Sequence, residues 1–213
     1  MKLIAALGNP GPQYERTRHN AGWMVLDRLI KRHGASAPVR ARFQGQVHEV
    51  SIGSERVLLL RPLTFMNRSG SSIAEAVGFY KIPVAGNVLI LVDDMALPLG
   101  EIRVRGEGGD GGHNGLEDTQ RALGTPAYAR VRIGIDPKPP GYDDQADWVL
   151  GKFTDEELVR LAPALDKAAD AAACYIKDGL AKAMNVYNAP PPRPKPPRPP
   201  LPPSQAQAPP PAP

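Results

Sequence analysis

Two His-Asn pairs are the residues of this 213-residue sequence with the clearest potential for chemistry. The first pair lies in Thr17-Arg18-His19-Asn20, and the second in Gly111-Gly112-His113-Asn114-Gly115. A histidine exchanges a proton near neutral pH, and an asparagine side chain donates and accepts hydrogen bonds without a charge. If the fold brings these two segments together, the site holds a base among neutral hydrogen-bonding groups. That combination is typical of a hydrolase.

Further polar residues stand where predicted strands end or predicted helices begin. Asp93-Asp94 follows the apolar run Val88–Val92, and a carboxylate at that position could orient a histidine base. Each polar residue also has a structural alternative. A lone histidine such as His19 is often a surface residue, and Asp93-Asp94 could be a solvated strand end. The asparagines could serve local structure only, as a turn at Asn9, as helix caps at Asn20 and Asn67, and as a capping box with Glu117 at Asn114.

Three other classes of site are disfavoured by spacing. Residues 106–111 match G-x-G-x-x-G, but they do not follow the first strand, and no acidic residue ends the next one. We interpret residues 106–112, called the glycine loop below, as a flexible flap beside a polar ligand. The histidines and the single cysteine lack paired ligand spacing, and Ser69 lacks a nucleophile-elbow motif. The sequence therefore predicts neither a metal ion nor a cofactor.

Strand-like and helix-like segments alternate along the chain, which predicts an α/β fold. We expect one domain built on a mixed, mostly parallel twisted sheet with helices on both faces. Ligands of such sheets bind beyond the carboxyl ends of the strands, where the polar residues above are expected to converge. The predicted strands are Lys2–Leu7, Phe43–Ile52, Arg56–Arg61, Val88–Val92, Glu101–Arg105 and Arg130–Ile135. The predicted helices cover residues 20–32, 67–80 and 114–123, and a long helical region that Thr154 caps runs to about Val186.

Composition divides the chain at one point. Residues 1–188 suit a single catalytic domain, whereas the segment from Pro190 onward holds 14 of the 25 prolines and almost no apolar side chain. We predict a disordered tail over 189–213. This tail is either a solvated appendage or a ligand for a partner with an aromatic groove. Its three basic residues supply +3 of the net charge of +4, so bulk charge does not argue for nucleic-acid binding.

The expected location is the cytoplasm, without membrane attachment. No apolar stretch approaches the length of a membrane helix, and the chain starts with a strand-like run rather than a secretory signal. Cys174 lies in a helical pattern and is interpreted as a core residue in a reducing compartment.

The order and spacing of several short blocks resemble the bacterial peptidyl-tRNA hydrolase family over the whole of residues 1–188. These blocks are Gly8-Asn9-Pro10-Gly11, Tyr14, Thr17-Arg18-His19-Asn20, 64–70 (Thr-Phe-Met-Asn-Arg-Ser-Gly), Asp93-Asp94, 111–115 and Arg132-Ile133-Gly134. The resemblance implies a monomeric, metal-free and cofactor-free esterase. Such an enzyme splits peptidyl-tRNA into peptide and tRNA, and so recycles tRNA from stalled or abortive translation.

The resemblance also implies roles for individual residues. His19 is expected to act as the catalytic base and Asp93 to orient it. The remaining residues are expected to bind substrate: Asn9, Asn67 and Asn114 the peptide and terminal adenosine, Tyr14, Met66 and His113 as parts of the same crevice, and Arg105 and Arg132 the tRNA phosphates. An alternative is a non-catalytic RNA-binding relative of the same fold.

The chain departs from the family pattern in three respects. The stretch Val92-Asp93-Asp94-Met95 keeps the essential aspartate among altered neighbours, and Arg105 stands where lysine is common. Glu107 and Asp110 also make the glycine loop more acidic than is usual in the family.

Overall fold

Seven strands form one sheet in the computed structural model, which describes residues 1–34, 36–141 and 143–189. The fully apolar run that begins at Val88 lies at the centre of this sheet and is buried on both faces, as its composition predicts. The strands are β1 (Lys2–Ala6), β2 (Arg40–Arg42), β3 (Gly45–Ile52), β4 (Glu55–Pro62), β5 (Val88–Asp94), β6 (Ile102–Arg105) and β7 (Ala129–Gly134).

The strand order is β2-β3-β4-β1-β5-β7-β6. The four central strands β4, β1, β5 and β7 pair in parallel, whereas β2, β3 and β6 add antiparallel pairs at the two edges. Strands β3 and β4 form a hairpin that turns at Gly53-Ser54. The mixed sheet is therefore confirmed, with parallel pairing confined to its centre.

Helices cover both faces of the sheet over two apolar cores. One core includes side chains of α1, α5 and α6, and the other includes side chains of α2 and Leu116 of α3. The long helix predicted to Val186 is interrupted because Gly179 has a φ of 87°, a conformation that glycine adopts at little cost. The helices are α1 (Ala21–His33), α2 (Ser69–Tyr80), α3 (Asn114–Leu123), α4 (Gln145–Leu150), α5 (Asp155–Asp178) and α6 (Leu180–Tyr187).

Only one of the predicted helix caps has the expected form. Thr154 and Glu157 make a reciprocal capping box at the start of α5. At α2, a 3₁₀ turn over Met66–Arg68 precedes the helix, so Asn67 lies outside it and does not cap it. The caps of α1 and α3 also differ from the predictions, because their asparagines take part in the candidate site instead.

Close packing sets the start of α1 against the ends of the central strands. A Cβ atom on Gly22 would lie 2.5 Å from the Leu91 carbonyl oxygen and 2.8 Å from that of Leu7. Only glycine lets the helix approach β1 and β5 so closely. The turn before α1, which carries His19, therefore lies beside the carboxyl ends of these two strands.

Three further predictions concern membrane attachment, the proline-rich tail and the single cysteine. In the described parts of the chain, no helix is long and apolar enough to cross a membrane. The predicted proline-rich tail falls outside the described residues, apart from Ala189 at its start. Cys174 is buried in the core, as expected.

Candidate active site

A single cleft of about 1280 Å³ gathers all the residues predicted to act on a substrate. It opens beyond the carboxyl ends of β1 and β5, where ligands of such sheets bind. The structure thus brings together residues from Asn9 to Arg132, which are 123 positions apart in the sequence. The predicted residues lining the cleft are Asn9, Tyr14, His19, Met66, Asn67, Asp93, Arg105, His113, Asn114 and Arg132.

His19 and Asp93 form a buried pair at the floor of this cleft. His19 is 7% exposed and lies in a 3₁₀ turn, and Asp93 is 3% exposed at the end of β5. The His19 Nδ1 atom lies 3.1 and 3.0 Å from the two Asp93 carboxylate oxygens. Because a carboxylate only accepts, Nδ1 must carry the proton. Nε2 then keeps its lone pair, and no described residue bonds to it.

Asp93 keeps its negative charge although it is buried. Burial alone raises the pKa of a carboxyl group, but the charges and hydrogen bonds of His19 and His113 outweigh it and hold the Asp93 pKa well below its usual range. The group is therefore a permanent acceptor for the two imidazole rings. A permanent acceptor fixes the tautomer of His19 at every pH at which a histidine can act as a base.

His113 makes a different use of its two ring nitrogens. Its Nδ1 atom caps α3 by accepting from the Gly115 and Leu116 amides at 3.1 and 3.3 Å. Nε2 must then carry the proton, which it donates to Asp93 Oδ1 at 3.0 Å. The alternative that Asn114 only caps α3 is wrong, since His113 performs that role. His113 is thus the second partner of Asp93, as well as part of the cleft wall.

The same three side chains could also suggest a metal site, since their ligand atoms lie within 4.8 Å of one another. A metal on His113 Nε2 would require that nitrogen to be unprotonated. Its Nδ1 already accepts two amide protons, so the ring would have to lose both of its own. The contacts of His113 therefore fit a network held by protons better than one held by a metal ion.

Asn9 is held rigidly at the edge of the cleft. It is 5% exposed, and its Oδ1 accepts from the Met66 amide at 2.8 Å. Asn20 binds its main chain on both sides, accepting from Asn9 N at 2.8 Å and donating to Asn9 O at 3.1 Å. Asn20 therefore does not cap α1, although the sequence had offered it as a helix cap. The side-chain nitrogen of Asn9, Nδ2, is left as a donor that no described residue satisfies.

The other predicted contacts differ in exposure. Met66 is buried and forms part of the cleft wall, and Tyr14 is half-buried. Asn67 and Asn114 are exposed on opposite segments of the rim. Exposed amides can turn to meet a bound chain, whereas the Asn9 side chain is already fixed by its bond to Met66.

Arginines cover one face of the β6–β7 pair beside the cleft. Arg105 pairs with Arg130, and Arg103 pairs with Arg132, so all four side chains leave the same face of the sheet. Arg132 also forms an ion pair with Asp94. Sequence reasoning missed Arg103 and Arg130, although the alternation of arginine with apolar residues in both strands could have revealed them.

Arg18 anchors the segment that carries His19, a second role that sequence reasoning missed. Its guanidinium lies 3.6 Å from the centre of the Trp148 ring, and its Nη2 donates to both Glu157 carboxylate oxygens at 2.8 and 2.9 Å. Arg18 and Glu157 are largely buried, so this pair is shielded from solvent. The contact ties the His19 turn to α4 and the start of α5.

Known proteins match the chain closely. The family model described as "Peptidyl-tRNA hydrolase" matches residues 3–195. The peptidyl-tRNA hydrolase of Desulfitobacterium hafniense is 48% identical over 188 residues, which cover 88% of this chain and 100% of that protein. The one from Symbiobacterium thermophilum is 46% identical over 189 residues, covering 88% and 98%. The crystal structure of the Acinetobacter baumannii peptidyl-tRNA hydrolase superposes with a TM-score of 0.81 at 36% identity, covering 89% and 95%.

Proposed function

The chain belongs to the peptidyl-tRNA hydrolase family and hydrolyses the ester bond of peptidyl-tRNA, and we propose that His19 is the general base of this reaction. The observation that carries the proposal is the orientation of the His19 ring. Asp93 holds its Nδ1 proton, while its Nε2 lone pair is unoccupied beside the cleft. The hydrolase activity sets aside the alternative of a non-catalytic RNA-binding relative.

The reaction needs one proton to be moved twice. His19 Nε2 takes a proton from a water molecule as the water oxygen attacks the ester carbonyl carbon. The imidazolium that forms is stabilised by the Asp93 carboxylate. The tetrahedral intermediate then breaks its bond to the ribose oxygen, and that oxygen takes the proton from Nε2. The products are a peptide carboxylic acid and a tRNA with a free ribose hydroxyl group.

Asn9 is the best-placed donor for the oxyanion of the intermediate. Its Nδ2 is unsatisfied by described residues, and its position is fixed by the Met66 amide and by Asn20. A donor fixed before the reaction stabilises developing charge without reorganisation. Asn114 is exposed and is better suited to holding the peptide.

Selectivity requires the enzyme to distinguish an amide from a free amino group. Peptidyl-tRNA carries an amide next to the ester, whereas aminoacyl-tRNA carries a charged ammonium. The neutral Asn67 and Asn114 side chains can hydrogen-bond the amide, but they do not neutralise an ammonium that loses its water. Neither asparagine reads a particular side chain, so hydrolysis should tolerate many peptide sequences.

The arginine face is suited to bind the tRNA body. Arg105 and Arg132 lie on the cleft rim, where they can bind phosphates of the acceptor arm. Binding through phosphates releases counterions, so the KM should rise with salt concentration. The Arg132–Asp94 ion pair has to open or to be shared when a phosphate arrives.

The family resemblance implies a monomer, and the proposed mechanism uses only residues that lie together in the cleft of one chain. A tail partner with an aromatic groove remains a proposal based on the sequence alone. Hydrolysis by a chain that lacks residues 189–213 should equal that of the full chain if the tail only recruits a partner.

The direct test measures release of N-acetylamino acid from N-acetylaminoacyl-tRNA, beside the same tRNA with an unblocked amino acid. The full chain should hydrolyse only the blocked substrate. The His19→Ala variant should bind the blocked substrate but turn it over very slowly. Near-normal turnover by this variant would refute the assignment of the base.

A further inference from the structure

Arg130 is a buried charge without an acidic partner. Its side chain is 2% exposed and lies 4.6 Å from the centre of the buried Tyr128 ring. Among the side chains that the structure describes, no carboxylate forms an ion pair with it. Burial lowers the pKa of the guanidinium, and the more distant Asp110 carboxylate opposes this shift only in part. Because a buried charge is costly unless it is hydrogen-bonded, its remaining contacts must be strong.

Those contacts are main-chain carbonyl groups of the glycine loop. Arg130 donates to Gly109 O at 2.8 Å and to Gly108 O at 3.0 Å, with a third carbonyl, Pro126 O, at 3.5 Å. The planar guanidinium reaches adjacent carbonyls at once, which a lysine cannot do in the same way.

The glycine loop has little else to hold it in place. A Cβ atom built on Gly109, Gly111 or Gly112 would meet nothing within 4 Å, so packing does not fix the middle of the loop. Gly111 and Gly112 also have positive φ angles, which glycine adopts at little cost because it has no Cβ atom. The hydrogen bonds from Arg130 are therefore the principal restraint on residues 108 and 109.

The loop leads directly into the catalytic network. Asp110 accepts from the Gly112 amide through its side chain at 2.8 Å and from the His113 amide through its carbonyl at 3.1 Å. His113 then caps α3 and donates to Asp93. A shift of the loop would consequently displace His113 and the neighbouring Asn114.

We propose that Arg130 is a positioning residue that latches the glycine loop over the cleft and thereby places His113 and Asn114 for hydrolysis. The effect on hydrolysis rests on the proposed function, whereas the latch itself does not. Arg132 lies two residues along the same strand and face and serves as the matched comparison, because it is assigned to phosphate binding and bonds to no loop carbonyl.

The experiment compares Arg130→Met and Arg130→Lys with Arg132→Met in the full chain. Hydrogen exchange without substrate should be faster in residues 106–112 of both Arg130 variants and unchanged in β5. The kcat of Arg130→Met should fall on the order of tenfold to a hundredfold, as expected for small displacements of a site, with little change in KM. Arg130→Lys keeps the charge but should recover only part of kcat.

A second substrate separates latching from phosphate binding. The second substrate is an N-acetylaminoacyl ester of adenosine, which lacks the tRNA phosphates. On this ester Arg130→Met should still hydrolyse more slowly than wild type, whereas Arg132→Met should hydrolyse it at the wild-type rate. A defect of Arg130→Met that vanishes on this ester, or loop exchange that is unchanged in both folded Arg130 variants, would overturn the proposal. Full recovery of exchange and kcat by lysine would also overturn it, since charge alone would then suffice. Faster loop exchange combined with a wild-type chain that does not hydrolyse peptidyl-tRNA would refute the proposed function and leave the latch standing.

Discussion

The two His-Asn pairs of this chain have the same residues and opposite arrangements. His19 gives its Nδ1 proton to Asp93 and keeps Nε2 free, whereas His113 uses Nδ1 to cap a helix and gives its Nε2 proton to the same carboxylate. Asn20 is buried against Asn9, whereas Asn114 is exposed on the rim. The hydrogen bonds that each side chain already makes therefore decide which of its atoms remain for chemistry.

Of the changes to the two His-Asn pairs, removal of the base should have the largest effect on kcat. His19→Ala is expected to lower kcat by about 10⁴-fold, the upper end of the range for general acid–base groups, because the second pair has no free ring nitrogen to replace it. Single-turnover hydrolysis of N-acetylaminoacyl-tRNA measures the effect. His33→Ala, a change in α1 away from the cleft, serves as the control. A loss of less than tenfold would mean that another group takes the proton.

Changing the shared acceptor should come next. In Asp93→Asn only one oxygen is left to accept, and the cap on α3 requires His113 to keep its Nε2 proton. The amide group would then donate to His19 Nδ1 and move the His19 proton to Nε2, which removes the base. We expect kcat to fall by roughly 10³-fold, as for other mis-set tautomers.

The same variant tests the charge of Asp93 through stability. Because the folded pKa is lowered, Asp93 stabilises the fold above its unfolded pKa of 3.8, and this contribution is lost as pH falls below that value toward the folded pKa. Urea unfolding from pH 5 to pH 2.5 should therefore show a shallower loss of stability for Asp93→Asn than for wild type. An equal slope for both proteins would contradict the assigned direction.

Substitutions at His113 can separate its two roles. Asparagine is a good N-cap but cannot reach Asp93. His113→Asn should therefore lose only the stability that the Asp93 bond supplies, and it should lower kcat by about tenfold, the value of one charge-assisted hydrogen bond. His113→Ala should show the same kcat and an additional loss of about 1 kcal/mol from the missing cap. Thermal unfolding and kcat together measure both effects. Equal stability of the two variants would show that the cap is unimportant.

The asparagines of the two pairs, Asn20 and Asn114, should differ in how much they contribute to the free energy of unfolding. Asn20→Ala removes two buried hydrogen bonds to Asn9 and should lower the free energy of unfolding by about 1–3 kcal/mol. Asn114→Ala changes an exposed side chain and should stay within about 0.5 kcal/mol of wild type. Urea unfolding compares them, and a larger loss for Asn114→Ala would reverse the assignment.

The sequence predicted the positions of the site better than the contacts within it. Asn9, His19, Asp93 and His113 were expected to converge because they follow strands or precede helices, and the cleft contains all four. Which ring nitrogen of His113 bonds to which partner depends on the three-dimensional path of residues 113–116, and the spacing of residues along the chain does not encode it.

Local rules failed where tertiary contacts competed with them. Asparagine favours the N-cap in isolated helices, but Asn20 finds two buried partners in Asn9 that a cap would forgo. The edge strands follow the same principle. β6 pairs antiparallel to β7 because of the chain's path through residues 106–128, and the apolar pattern of either strand alone does not specify that direction.

The two histidines should hold their protons on opposite ring nitrogens. ¹⁵N NMR of the imidazole groups above neutral pH tests this most directly. The His19→Ala and His113→Asn variants assign the resonances. We expect His19 to be protonated at Nδ1 with a free Nε2, and His113 to be protonated at Nε2 with an accepting Nδ1. A His19 ring that carries its proton on Nε2 would contradict it.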